Sequence, residues 1–185
     1  MNKVDYAMRT IPRSNFLPES IRRRASSDTP LPIGFGQTNS QPAVVRSMLK
    51  WLDPQPGDRI LDIGSGSGWT TALLANLVGS RGFIYAVEKI PQLVGFGARN
   101  CERLNISNVR FFEARTDYGL VEFAPYDRIL ASAAARELPG NLVDQLRLGG
   151  RMVIPINTSI HVIDKIGRHN YEDTEYPGYL FVPLV

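Results

Sequence analysis

Apolar positions in this chain change period several times, and each change marks an element. In "AVVRSMLKWL" the residues Val44, Val45, Met48, Leu49 and Leu52 recur at helical spacing on one face, which predicts an amphipathic helix. "PQPGD" ends it, because two prolines and a glycine cannot continue the helical ladder. "RILDI" is a short apolar run between turn residues and reads as a buried strand. "TTALLANLV" returns to helical spacing and ends at Gly79. "GFIYAV" predicts a second strand, and "PQLVGFGARNCERL" a helix with Pro91 in its first turn. "VRFFEA" and "YDRILASAA" predict two more strands, and "LPGNLVDQLRL" a helix stopped by Gly149 and Gly150. "RMVIPI", "SIHVIDKIG" and "YLFVPL" predict late strands, with no helix between the last two. Up to about Pro42 no period persists. Pro, Ser and Gly are frequent there, which predicts a wrapping arm with short helices.

Strands alternating with helices of ten to fifteen residues imply βαβ units and a parallel sheet. The late strands imply an antiparallel edge. The expected fold class is therefore α/β: a three-layer αβα sandwich, Rossmann-like and doubly wound, mostly parallel, with an antiparallel C-terminal edge. One domain over residues 1–185 is expected, with 1–42 as arm and substrate loop and 43–185 as core. Ligands of such sheets bind beyond the carboxyl ends of the strands, where "GSGSG" follows the first core strand.

A dinucleotide site in that loop requires G-x-G-x-x-G. Counted from Gly64, the third glycine of that pattern falls on Trp69, whose indole argues against NAD or FAD. A P-loop lysine is also missing. The pattern is instead D-x-G-x-G-x-G, made by Asp62, Gly64, Gly66 and Gly68, and it resembles the first motif of class I S-adenosyl-L-methionine methyltransferases. Such a cofactor carries a sulfonium and an ammonium, so a nearby carboxylate is useful. Asp62 is expected to face its methionine part, directly or through water. Glu88 ends the next strand and can accept hydrogen bonds from both ribose hydroxyls. A plain turn and a surface cap are the alternatives for these two features taken singly.

Composition narrows the picture. No window approaches the ~20 apolar residues of a membrane span, and "MNKVDYAMRTIPRS" has no apolar signal region, so a cytoplasmic protein is expected. The one cysteine, Cys101, allows neither an internal disulfide nor a cysteine metal cluster. His161 and His169 stand alone late in the chain, and no metal is expected. The formal charge of +3 comes from residues 1–30, where six Lys/Arg face three Asp/Glu. "IRRR" makes most of that patch. A solvated basic turn is preferred there over a nucleic-acid arm, since no aromatic-rich reading surface accompanies it.

A second informative segment is "LPIGFGQTNSQPAVV". Pro42 opens a helix there, and Ser40 beside that N-terminus suits a carboxylate; a helix-capping serine is the competing reading. In full, "AMRTIPRSNFLP", "DTPLPIGFGQTNSQP", "LDIGSGSGWTTALLA", "VEKIPQL", "APYDRILASAAARELP", "LVDQLRLGGRMVIPI" and "FVPL" resemble the protein-L-isoaspartate O-methyltransferase family, in its order and spacing along nearly the whole chain. The resemblance implies methyl transfer from S-adenosyl-L-methionine to the free carboxylate of L-isoaspartyl residues in damaged proteins and peptides, with S-adenosyl-L-homocysteine as product. The ester then closes to a succinimide, and hydrolysis returns some normal aspartate. By the resemblance Ser40 is the active-site serine. Gln37, Thr38 and Asn39 line the cleft beside it. Asp62, Gly64, Ser65, Gly66, Ser67, Gly68, Glu88, Lys89, Arg115 and Thr116 contact the cofactor. Nothing in the sequence forces an oligomer, and a monomer is expected.

Two departures from the family pattern stand out. The family usually has Gly-Asp-Gly after its third core strand, with the acidic residue reading adenine; here the positions hold Ala114, Arg115 and Thr116. An arginine has no acceptor for the adenine amino group, but it can stack on the ring, and Asp117 is the nearest acidic substitute. Asn39 and Gln41 also replace the usual Ile and Ala. The alternative functions are a family member that binds cofactor or peptide without efficient transfer, and a methyltransferase for another substrate.

Overall fold

The computed structural model describes residues 2–115 and 118–184. The arm holds helix α1 (Lys3–Thr10), two 3-10 turns (Arg13–Phe16 and Glu19–Arg24) and a hairpin of β1 (Leu31–Gly34) and β2 (Gln37–Asn39). The core follows as α2 (Pro42–Leu52), β3 (Arg59–Ile63), α3 (Trp69–Val78), β4 (Phe83–Glu88), α4 (Pro91–Arg103) and β5 (Val109–Glu113). It ends with β6 (Tyr126–Ala131), α5 (Gly140–Gln145), β7 (Leu146–Ile156), β8 (Ser159–Lys165) and β9 (Tyr171–Pro177).

The core strands form one sheet in the order β5-β4-β3-β6-β7-β8-β9. The first five of these run parallel, and β8 and β9 add the antiparallel edge. Because β3 lies between β4 and β6, the strand order reverses beside it, and a crevice opens at its carboxyl end. Successive residues of each strand face opposite sides. Ile60, Ile84, Leu130 and Val153 therefore pack with α1, α2 and α3. Leu61, Val87, Ile129 and Met152 pack on the other face with Leu142 and Val143 of α5. The predicted stripe of α2 is the buried one, with Val45, Met48, Leu49 and Leu52 inside and Val44 packed at its edge. That helix stops at Asp53, a left-handed residue at φ 48° directly before Pro54.

Three expectations change. The helix expected over "LPGNLVDQLRL" spans only Gly140–Gln145. Lys165 reaches across from β8 and donates to the carbonyls of Val143 (2.8 Å), Asp144 (3.3 Å) and Leu146 (2.8 Å), so it caps the short helix and lets the chain turn into β7. Gly149 and Gly150 lie inside β7, not at a helix end. "YLFVPL" is no strand of the sheet. Its last residues make a single parallel bridge, Ala134 to Pro183, closed by Ala134 N–H to the Val182 carbonyl (2.8 Å) and Leu184 N–H to the Ala134 carbonyl (2.8 Å). The edge position belongs to β9, "YEDTEYP", which is exposed at every residue but Tyr176. A strand with solvent on both sides carries no apolar alternation, so periodicity could not mark it.

Candidate active site

The loop after β3 is bound tightly to its neighbours. Gly64 N–H and Ser65 N–H both donate to the Val87 carbonyl, at 2.9 and 3.1 Å, and Gly68 N–H donates to the Ser65 carbonyl (2.8 Å). Gly64, Gly66 and Gly68 all have positive φ, between 51° and 83°. Glu88, at the end of β4, accepts Gly66 N–H (2.9 Å) and Ile90 N–H (3.0 Å) with its two carboxylate oxygens. Each oxygen keeps a further acceptor site. Loop and carboxylate bound a cavity of about 540 Å³, within the size range of small-molecule sites.

The hairpin closes the facing wall. Gln37, Thr38, Asn39 and Ser40 line the same cavity as Gly64, Ser65, Gly66, Ser67, Glu88, Lys89 and Arg115. Helix α2 takes Gln41 as its N-cap without a side-chain cap bond, and Asp28 Oδ1 accepts Ala43 N–H at 2.8 Å. The Ser40 hydroxyl therefore does not cap the helix and has no hydrogen-bond partner among the described residues. The wall is held from behind by Arg13, 5% exposed. Its guanidinium donates to Asn39 Oδ1 (2.7 Å) and to the carbonyls of Ser27 (2.9 Å), Thr29 (2.9 Å), Asn39 (2.9 Å) and Ser40 (3.0 Å). It also lies 5.6 Å from the centre of the Trp69 ring. Burial pulls the Arg13 pKa down to about 10, so it stays charged at neutral pH. Trp69 Nε1 donates to the Ile11 carbonyl (3.0 Å). The indole that stands in place of a third dinucleotide-loop glycine thus fastens the arm to the core.

Asp62 and Gly68 lie beneath the cavity and do not line it. Gly68 serves helix packing: a Cβ there would stand 3.0 Å from both Cα and O of Gly97 in α4. Asp62 is fully buried and accepts the Thr71 hydroxyl at 2.6 Å through Oδ2, while its Oδ1 has no partner among the described residues. Burial pushes its pKa up to about 7, against the pull of the Thr71 hydroxyl and with some help from the Glu88 charge. The native carboxyl therefore holds its proton longer than the unfolded one. Its stabilising share is full below the ordinary carboxylate range and is lost as pH rises towards 7. Between pH 5 and pH 8 the ligand-free protein should lose on the order of 3 kcal/mol through this group, and Asp62→Asn should remove that slope. Urea denaturation of both proteins at the two pH values checks this; equal pH dependence would refute it.

These residues fit a nucleoside carrying a cationic amino acid. Ser65 Oγ is buried at the cavity wall without a partner among the described residues. Glu88 is fixed by two backbone donors, and Ile63, Val87, Ile90, Ala114 and Leu184 supply apolar walls for a base. The family model described as Protein-L-isoaspartate(D-aspartate) O-methyltransferase (PCMT) matches residues 1–185. The chain belongs to this family. A protein-L-isoaspartate O-methyltransferase of Aeropyrum pernix is 45% identical over 188 residues, covering 99% of this chain and 72% of that protein. A solved protein-L-isoaspartate O-methyltransferase superposes with a TM-score of 0.92 at 29% identity; the match covers all of this chain and 62% of that one. The beta-aspartate methyltransferase (PCMT) of Plasmodium falciparum, solved in complex with S-adenosyl-L-homocysteine, gives a TM-score of 0.89 at 28% identity and covers 100% of this chain and 91% of that one.

Against the family pattern, Arg115 is the clear departure. Its side chain is 78% exposed and stands 3.9 Å from Glu122. A smaller cavity lined by Phe112, Glu113, Ala114, Arg115, Leu120 and Glu122 adjoins it. Thr116 and Asp117 lie outside the described residues. Arg13 and residues 182–184 stand in the segments "AMRTIPRSNFLP" and "FVPL", whose sequence alone assigns them no role. The signal for Arg13 was weak: one arginine in an otherwise solvated, basic arm. Val182, Pro183 and Leu184 line the cavity through a single bridge, which no periodicity reports.

Proposed function

We propose that this methyltransferase moves a methyl group from S-adenosyl-L-methionine to the free carboxylate of L-isoaspartyl residues in damaged proteins and peptides. The observation that carries the reading is one cavity with two different walls, the Gly64–Ser67 loop with Glu88 on one side and Gln37–Ser40 on the other. Glu88 with Lys89, Ser65 and the loop backbone would hold the cofactor, Arg115 would lie at its adenine end, and Asp62 and Gly68 would support the loop from below. Ser40, with Gln37 and Thr38, would hold the substrate carboxylate, and Asn39, whose amide is spent on Arg13 and Ser67, would brace that wall from behind.

When bound, the cofactor supplies a methyl group on a cationic sulfur that leaves as a neutral thioether once the carboxylate oxygen takes the methyl. A carboxylate of pKa about 4 is ionised at neutral pH, so these residues need no general base. Cys101 is buried, which pushes its thiol up to about 12, and it takes no part. The Ser40 hydroxyl, without a partner among the described residues, can donate to an anion, while the N-terminus of α2 is already taken by the Asp28 carboxylate on Ala43 N–H. The walls align the oxygen and keep water out, and such positioning supplies several kcal/mol of rate enhancement. The same reading takes the chain as one methyltransferase domain, acting as a cytoplasmic monomer on protein rather than nucleic acid. Among the described residues no helix is long and apolar enough to cross a membrane.

The test is incubation with methyl-labelled S-adenosyl-L-methionine and matched isoaspartyl and aspartyl peptides, counting base-labile ester. Label on the isoaspartyl peptide alone is expected. Cofactor binding without label on either peptide would make the chain a non-transferring family member. Ser40→Ala should lower kcat/KM about 10–100-fold, the worth of one hydrogen bond to a charged group, with S-adenosyl-L-homocysteine affinity changed less than about twofold. Equal losses in both would assign Ser40 a structural role.

A further inference from the structure

The two walls of the cavity are joined by one side chain. Asn39 is 5% exposed and lies 28 residues from Ser67 in the chain. Its Oδ1 accepts Arg13 Nε at 2.7 Å, and its Nδ2 donates to Ser67 Oγ at 2.9 Å. The direction of this relay is set chemically. A guanidinium has no acceptor, so the carbonyl oxygen of the Asn39 amide must face Arg13 and the NH2 must face Ser67. Ser67 Oγ therefore accepts, and its own hydrogen points elsewhere. No described residue takes that hydrogen, and Ser67 lines the cavity. The backbone of Ser67 is held separately, by Asn100 Nδ2 on its carbonyl at 3.0 Å.

We propose that Asn39 is a positioning residue that couples occupancy of the substrate wall to occupancy of the cofactor wall. The proposal rests on the functional reading above. The Arg13–Asn39–Ser67 relay is already formed without ligand. A carboxylate held at Ser40 would restrain its Asn39 end and a cofactor taking the Ser67 proton its other end, so that the second ligand has less motion left to remove. Arg13, buried and charged, polarises the amide and strengthens the second bond. Coupling of this kind is reciprocal: each ligand tightens the other by the same factor. The role differs from that of Ser40, which would touch substrate, and of Glu88, which would touch cofactor.

Asn39→Asp separates the two links. The carboxylate still accepts from Arg13, but it cannot donate to Ser67. It would instead take the Ser67 proton and withdraw it from the cavity. Calorimetric titration of the whole chain with S-adenosyl-L-homocysteine, with and without an isoaspartyl peptide, and the reverse titration, read the coupling directly. For the unaltered protein a factor of about five or more is expected in both directions. For Asn39→Asp the factor should fall below about two while thermal unfolding stays within a few degrees. Ser67→Ala, which leaves the Arg13–Asn39 bond in place, should lose the coupling equally, and combining the two changes should add nothing. Should Asn39→Asp fail to fold, Ser67→Ala alone decides. Coupling that survives either change, or equal loss of both affinities with coupling intact, overturns the proposal. So does an unaltered protein that binds both ligands independently, which would leave the functional reading standing. An unaltered protein that binds neither ligand removes both.

Discussion

Replacing Arg13 with alanine is expected to cost about 3–5 kcal/mol of stability, at the far end of single-substitution effects, and to abolish measurable methyl transfer. The guanidinium makes five hydrogen bonds from a nearly dry position. Three of the acceptors, the Asn39 and Ser40 carbonyls and Asn39 Oδ1, lie in the Gln37–Ser40 wall, and the other two, the Ser27 and Thr29 carbonyls, lie just before the hairpin. A buried acceptor left without a donor costs about 1–3 kcal/mol, and water entering the vacated space recovers part of that for some of them. Arg13→Lys keeps the charge but offers three donors from one point instead of five from a planar fork. It should recover about half of the lost stability and little of the activity. Urea unfolding and the peptide methylation assay check both. An Arg13→Ala protein within about 0.5 kcal/mol of the original would mean that the wall supports itself.

The second large effect is expected at Gly68. Its φ of 83° lies in the left-handed region, and a Cβ would stand 3.0 Å from the Cα and O of Gly97. An alanine pays about 1–2 kcal/mol for the backbone conformation and a further ~1–3 kcal/mol for the overlap. The overlap cannot be relieved by a rotamer change, because the opposing atoms are main chain. Gly97 is itself closely packed: a Cβ there would stand 2.7 Å from the Phe111 ring. Gly79→Ala compares only the open space, since nothing lies within 4 Å of its Cβ position; its φ 67° and ψ −173° are a harsher, glycine-only conformation than the φ 83° and ψ 9° of Gly68. The overlap is therefore read from urea unfolding of Gly68→Ala itself: a loss no larger than the about 1–2 kcal/mol of the backbone would mean that helix contact is not what Gly68 serves. Affinity for S-adenosyl-L-homocysteine should drop in Gly68→Ala and not in Gly79→Ala, since Gly64–Ser67 would shift with the displaced helix.

Much of this arrangement is legible in the sequence, for reasons that differ by element. The parallel core strands are apolar runs because both faces are covered, as at Ile60 to Ile63, all four buried. The helices carry their stripes because each covers one face of the sheet. The crevice is legible because a glycine loop after the first core strand coincides with the reversal of strand order, and strand β4 delivers Glu88 to the same point. What escaped reading shares one property: its partners are distant in the chain and its own pattern is polar or single. Arg13 bonds residues 14 to 27 positions away. Lys165 ends α5 from 19 to 22 positions away. Strand β9 has no buried face to announce it.

Local pattern alone therefore determined the alternation of strands and helices, the hydrophobic faces that pack, the position of the glycine loop and the family to which these segments belong. Each of those follows from a short period or a short motif, which a neighbouring stretch of chain specifies completely. Only the tertiary structure decided that Gly68 and Asp62 lie outside the cavity lining, that the Ser40 hydroxyl does not cap α2, and that a buried arginine and an asparagine tie one wall to the other. Hydrogen bonds between distant segments depend on where the sheet and arm bring backbone carbonyls and donors together, and no periodicity along the chain encodes that placement.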